Sequence, residues 1–253
     1  MEKTKFALDI EKLSERPKHA KMLVYGDSGV GKTVFASSAP RPMLWIESEG
    51  GTNSIADPKG IDIVKASGLD TYREALQYLR SDEGRKYKTV VLDSFTETQA
   101  SVLKEIMVAV HAADGTRDEF TPQFQEYQRL VGVMREIVRG FRDLPMHVVV
   151  TALTREDKDE LTGRTAVRPR LSPAIASEIP GFMDVVGYMY TTTEKIEDQE
   201  VNDDQVEIHR NFLCVSTGKY LAKVRAPEGT EIPSHLKSPK FKDVAKYVLG
   251  EEK

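Results

Sequence analysis

The residues whose types and spacing can do chemistry begin at Gly26. Gly26-Asp27-Ser28-Gly29-Val30-Gly31-Lys32-Thr33 is a complete G-x-x-x-x-G-K-[ST] stretch, preceded by the apolar run 22–25 and followed by Val34-Phe35-Ala36. A strand before it and a helix after it form the setting in which this pattern binds nucleotide phosphates. Gly26, Gly29 and Gly31 can take backbone angles closed to other residues, so successive N–H groups can face one concavity. The helix starting near Lys32 turns its positive end toward the same spot. Lys32 supplies a point charge for the β- and γ-phosphates, and the Thr33 hydroxyl can ligate Mg2+. ATP with Mg2+ is the expected pair. What the nucleotide is used for is left open by the loop itself.

Residues 87–93 form an apolar run ending in an acid, expected as a strand buried on both faces. Asp93 there is placed to hold the magnesium shared with Thr33. The alternative is a helix N-cap, a role Ser94 would serve equally well. No glutamate follows Asp93, so a group that orients an attacking water must come from elsewhere. Glu47 and Glu49, at the C-terminal end of the second strand (42–46), are the candidates, because ligands of open α/β sheets sit outside the carboxyl ends of strands. Thr151, ending the strand 146–151, stands where a polar group can feel the γ-phosphate, or it satisfies its own backbone.

These groups need a frame. Strands are expected at 21–25, 42–46, 61–64, 87–93 and 146–151. Helices are expected after the phosphate loop, and from about Thr71, from about Thr96 and over 122–141, the last three with an apolar stripe at helical spacing. A loop of about 25 residues follows over 153–179. Runs 184–192 and 205–216 read as a hairpin around an acidic tip, 194–204. A last strand is expected at 220–225 and a short helix at 241–249. The pattern predicts an α/β fold, a mainly parallel twisted sheet flanked by helices, with antiparallel strands added at the C-terminal edge. Residues 1–20 form an N-terminal arm, 21–226 the core and 227–253 a lysine-rich tail.

Together these features resemble the RecA-like P-loop ATPases, and most closely the phage-encoded branch that acts in single-strand annealing and recombination. The resemblance is carried by Ile46-Glu47-Ser48-Glu49 after a strand, by Gly50-Gly51, by Asp93 without an adjacent glutamate, and by Lys223-Val224-Arg225. It implies that Glu49, two residues past the acid that ends the strand, orients the water. It implies that Lys223 and Arg225 reach a neighbouring subunit's γ-phosphate, which requires self-assembly into a ring or filament. The alternative for this pair is a set of charges blunting a sheet edge. The resemblance also places DNA-contacting loops after the third helix, with Arg117 and Phe120, and after Thr151, with Arg164, Arg168 and Arg170. Arginines there can touch a backbone, and an aromatic can stack on single-stranded bases. Three arginines are too few for strong binding unless many subunits act together.

The expected function is ATP hydrolysis on single-stranded DNA. An accessory ATPase of replication or packaging is the alternative, and a small-molecule kinase a more distant one. A single-strand-binding protein is left open as a further partner. A net charge of −4 excludes a whole-surface polyanion binder, so DNA contact must be local. The single cysteine, Cys214, excludes an intrachain disulfide framework. No apolar stretch reaches the length of a membrane span and the start is polar, so a cytoplasmic location is expected.

Overall fold

The computed structural model describes residues 12, 14, 18–158, 163–195 and 206–250. Most of the arm 1–20 and residues 196–204 of the acidic tip lie outside the described residues.

The apolar runs become the centre of the sheet. Strands β1 (Lys21–Gly26), β4 (Thr89–Asp93) and β5 (His147–Ala152) show no polar alternation because helices cover both faces. Their side chains divide by the two-residue period of a strand. Leu23, Tyr25, Val90, Leu92, Val148 and Val150 enter one core, under α2 (Leu69–Arg80), α3 (Phe95–Ala113), α4 (Phe124–Arg142) and α5 (Pro173–Phe182). Met22, Val24, Val91 and Val149 enter the other, under α1 (Lys32–Ser37) and α6 (Phe241–Leu249).

With β2 (Met43–Glu47), β3 (Ile61–Lys65), β8 (Val185–Lys195), β9 (Val206–Leu213) and β11 (His235–Lys237), the sheet runs β3-β2-β4-β5-β1-β8-β9-β11. The pairings from β3 through β8 are parallel. Strands β9, β11 and the two-residue β10 (Lys223–Val224) add antiparallel pairings at the β8 side. This is the α/β architecture expected. The order places β5 between β1 and β4, so Thr151 stands between the phosphate loop and Asp93.

Three expectations are corrected. Residues 153–179 are not a loop: β6 (Thr154–Lys158) and β7 (Thr165–Pro169) form a separate antiparallel ribbon, and α5 begins at Pro173. Charged residues hide the ribbon's strand pattern, while Pro173 suits a first helical turn whose N–H would go unused. The expected strand 220–225 shortens to β10 and a bridge from Tyr220 to Val167. The segment beyond 227 is not a tail, because β11 joins β9 and Phe241, Val244 and Ala245 are buried. Cys214 is buried, and burial pushes its thiol up to about 11. No helix among the described residues is long and apolar enough to cross a membrane.

Candidate nucleotide site

The phosphate loop leaves β1 at Gly26, where a Cβ would meet the Met189 backbone carbonyl at 2.3 Å. No side chain fits between β1 and β8 there. Gly29 and Gly31 have φ of 82° and 98°, the left-handed region that favours glycine. Val30 turns inward and is buried, while Asp27, Ser28 and Gly29 are exposed at the rim. The Lys32 ammonium donates to the carbonyls of Gly26 at 3.0 Å and Asp27 at 2.8 Å. Burial lowers its pKa, and Asp93, Glu49 and Asp27 act against that shift.

Asp93 ends β4 and is buried. Thr33 Oγ1 donates to its Oδ2 at 3.0 Å, and Thr151 Oγ1 donates to its Oδ1. Burial raises the Asp93 pKa, and the two hydroxyls oppose it. Ser94, not Asp93, caps α3, accepting from Glu97 N at 3.4 Å. Asp93 is thereby released from the structural role that competed for it. Thr151 is expected at the γ-phosphate, but it is fully buried and turned to Asp93. It orients the acid instead, because β5 lies between β1 and β4.

The two glutamates, separated in sequence only by Ser48, part company in space. Glu47 is buried, and its Oε1 accepts from Thr52 Oγ1 at 2.6 Å and Thr52 N at 3.3 Å. It holds the 3-10 turn Gly51–Ser54. Glu49 is exposed and takes the Ser94 hydroxyl on its Oε1. Its charge acts on both Lys32 and Asp93. Between the two glutamates, Ser48 is fixed by Tyr72 OH at 2.9 Å, and Tyr72 by Thr98 at 2.7 Å. Gly50, with φ 75°, and Gly51 bring the backbone over the same corner: a Cβ on Gly51 would lie 3.5 Å from Thr33 Oγ1 and 3.8 Å from Asp93 Oδ2.

The Thr33 hydroxyl and the Asp93 carboxylate are hard oxygen donors on one point, and no three His, Cys, Asp or Glu side chains cluster among the described residues. That set suits Mg2+, which takes one or two protein ligands and completes its shell with water and substrate phosphates.

Residues 18–230 match the family model AAA_24, described as an AAA domain. The chain belongs to this family. It is a P-loop ATPase domain, and nucleotide with Mg2+ follows as a general property of the family. No curated protein matches it. Among solved structures, it is similar to a KaiC-like protein from Pyrococcus horikoshii at 15% identity, covering 77% of this chain and 78% of that one, with TM-score 0.42. The RadB recombinase gives 15%, 77%, 79% and 0.38. The flagellar accessory protein FlaH from Methanocaldococcus jannaschii gives 10%, 87%, 85% and 0.43.

The remaining candidate residues of this AAA domain are spread over the fold. Arg168 on β7 is exposed, as are Arg164 and Arg170 immediately before and after the strand, while Val167 and Pro169 on either side of Arg168 are buried against the body. The ribbon begins at Thr154, whose hydroxyl donates to Asp27 of the phosphate loop. That contact was not legible in sequence, since 127 residues separate its partners. Arg117 is corrected: its guanidinium meets buried Glu126 at 2.9 Å and its carbonyl meets His111 Nδ1 at 2.6 Å. It fastens the α3–α4 connection. Phe120 is 83% exposed and Phe124 74%.

Lys223 and Arg225 lie at the other end of the sheet from Lys32, since β10 is in register with the start of β8. The Lys223 ammonium donates to Met183 O at 3.0 Å and to Pro180 O, clamping the end of α5. Arg225 pairs with Asp184 at 3.2 Å. Two of the three donors of the Lys223 ammonium are committed within its own chain, which runs against the expectation that it is presented to a neighbour. Arg210, from β9, has no counterpart in the sequence reading. A Cβ on Gly31 would lie 2.7 Å from its Cδ.

Proposed function

We propose that this ATPase works on single-stranded DNA, hydrolysing ATP in response to the strand, in the recombination and annealing class that the sequence resembles. The observation that carries this reading is the ribbon: exposed Arg168 in β7, with exposed Arg164 and Arg170 immediately before and after that strand, joined to the phosphate loop through Thr154 and Asp27. A phosphate backbone resting on Arg164, Arg168 and Arg170 displaces an element hydrogen-bonded to the nucleotide cradle. Assembly of several copies on one strand supplies the affinity that three arginines lack. Exposed Phe120 offers a base-stacking surface.

The chain's own groups divide the chemistry. Lys32 leaves its loop carbonyls for the β- and γ-phosphate oxygens. Thr33 and Asp93 would hold Mg2+, which would supply charge neutralisation on those oxygens. Glu49 orients a water in line with the γ-phosphorus and accepts its proton. The new bond forms from water oxygen to phosphorus, the bond to the β-bridging oxygen breaks, and ADP leaves with that electron pair. Thr151 holds the Oδ1 oxygen of Asp93 in place.

The test is the rate of ATP hydrolysis with and without a single-stranded oligonucleotide, in the wild type and in Arg168→Ala/Arg170→Ala. Stimulation lost in the double variant supports the reading. A rate indifferent to DNA contradicts it.

A further inference from the structure

Arg210 is a cation that the chemistry above does not use. Among the described residues its guanidinium has no hydrogen-bond or ion-pair partner, whereas Arg41 nearby is committed to Asp57 at 3.0 Å and to the Lys59 carbonyl at 2.6 Å. An exposed arginine without a partner is ordinary on a surface. The position of this one is not. Its stem lies against Gly31, where a Cβ would come 2.7 Å from Cδ and 2.8 Å from Nε.

The sheet register explains how a residue so remote in sequence arrives there. Gly26, the last residue of β1, is level with Met189 of β8, and β8 continues to Lys195. The β8–β9 hairpin therefore overshoots the ligand end of the sheet by roughly 20 Å. Arg210 pairs with Thr191, just beyond that level, so it stands outside the carboxyl ends of the parallel strands.

A cavity of about 520 Å³ opens beside it, lined by Gly31, Val34, Phe35, Met189, Arg210 and Pro239 among others. Lys32, Thr33 and Asp93 define the β/γ end of the phosphate chain, and none of Thr33, Asp93 and Glu49 lines this cavity. A nucleotide whose terminal phosphates sit at the metal corner leads its α-phosphate and nucleoside along Gly31 toward the opening.

We propose that Arg210 is a nucleotide-binding residue supplied in cis by the β8–β9 hairpin, its guanidinium pairing with the α-phosphate of a bound nucleoside di- or triphosphate. The inference rests on the nucleotide reading of the phosphate loop. An arginine fork can take two phosphate oxygens at once, and the absence of a competing partner leaves its donors available. Because the α-phosphate is common to both nucleotides, Arg210 contributes equally to ATP and ADP affinity.

Isothermal titration of the full chain with Mg-ATP and with Mg-ADP tests this. Arg210→Ala weakens both by roughly 10- to 100-fold, and Arg210→Lys recovers part of the loss. Melting without nucleotide checks that the fold is intact, and Arg210→Gln, which keeps the stem over Gly31, replaces the alanine variant if that one fails to fold. Lys32→Ala reports on the underlying reading. If the wild type binds nucleotide, Lys32→Ala does not, and Arg210→Ala matches the wild type, the Arg210 role alone is overturned. A loss confined to ATP overturns it too, by moving the contact to the γ-phosphate. A wild type that binds neither nucleotide overturns both.

Discussion

Thr33 and Asp93 meet at 3.0 Å, hydroxyl to carboxylate, although β5 separates β1, which leads to Thr33, from β4, which ends at Asp93. The loop carrying Thr33 and the strand end carrying Asp93 converge above the end of β5, and Thr151 on that strand takes the other oxygen of Asp93. A buried carboxylate is costly unless its charge is used. Asp93→Asn therefore lowers ATP hydrolysis by roughly 100-fold or more, while thermal stability stays level or rises. Turnover and a melting curve on the same preparation check both halves.

Glu49 and Glu47 separate by assay. Glu49→Gln lowers kcat by roughly 100-fold or more, with ATP affinity changed far less. Glu47→Ala removes the acceptor for Thr52, and it lowers stability by about 1–3 kcal/mol. Single-turnover rates beside nucleotide titrations and chemical denaturation separate the two effects.

The split between these glutamates shows what was legible. The glycine spacing around Lys32 and the acid closing an apolar strand reflect local backbone needs, so the loop and Asp93 could be read directly. The strands buried on both faces were legible for the same reason. Thr151's turn toward Asp93, the Thr154–Asp27 bond and Arg210 over Gly31 depend on strand order and register, which no local pattern encodes. Arg117 misled because an arginine in a turn looks alike whether it faces solvent or a buried Glu126. The ribbon β6–β7 was missed because its charged residues cover the alternation that marks a strand.

Arg117 and Phe120 are predicted to act differently though they are close in sequence. Arg117→Ala lowers the melting temperature, because the buried Glu126 carboxylate loses its cation. Phe120→Ala leaves melting unchanged and weakens single-stranded DNA binding by about tenfold. Fluorescence anisotropy with a labelled oligonucleotide, alongside melting, distinguishes them.

His147 gives a pH signature. Its Nδ1 accepts from Ala20 N at 3.1 Å, a bond that only the unprotonated nitrogen makes. Burial, then His19 and Lys21, push its pKa down from 6.5 to about 4. The folded-state value lies below the unfolded one, so this stabilisation is complete above pH 6.5 and is lost as pH falls toward 4. Urea unfolding across that window shows a declining stability, and His147→Asn makes the decline shallower.

The central claim is that single-stranded DNA drives hydrolysis at this loop. The steady-state rate of ATP hydrolysis, followed as single-stranded oligonucleotide is added at low and then high salt, tests it most directly. A saturable rise is expected, one that salt suppresses and that Arg168→Ala/Arg170→Ala removes. A basal rate that stays flat across the whole titration at low salt would contradict it.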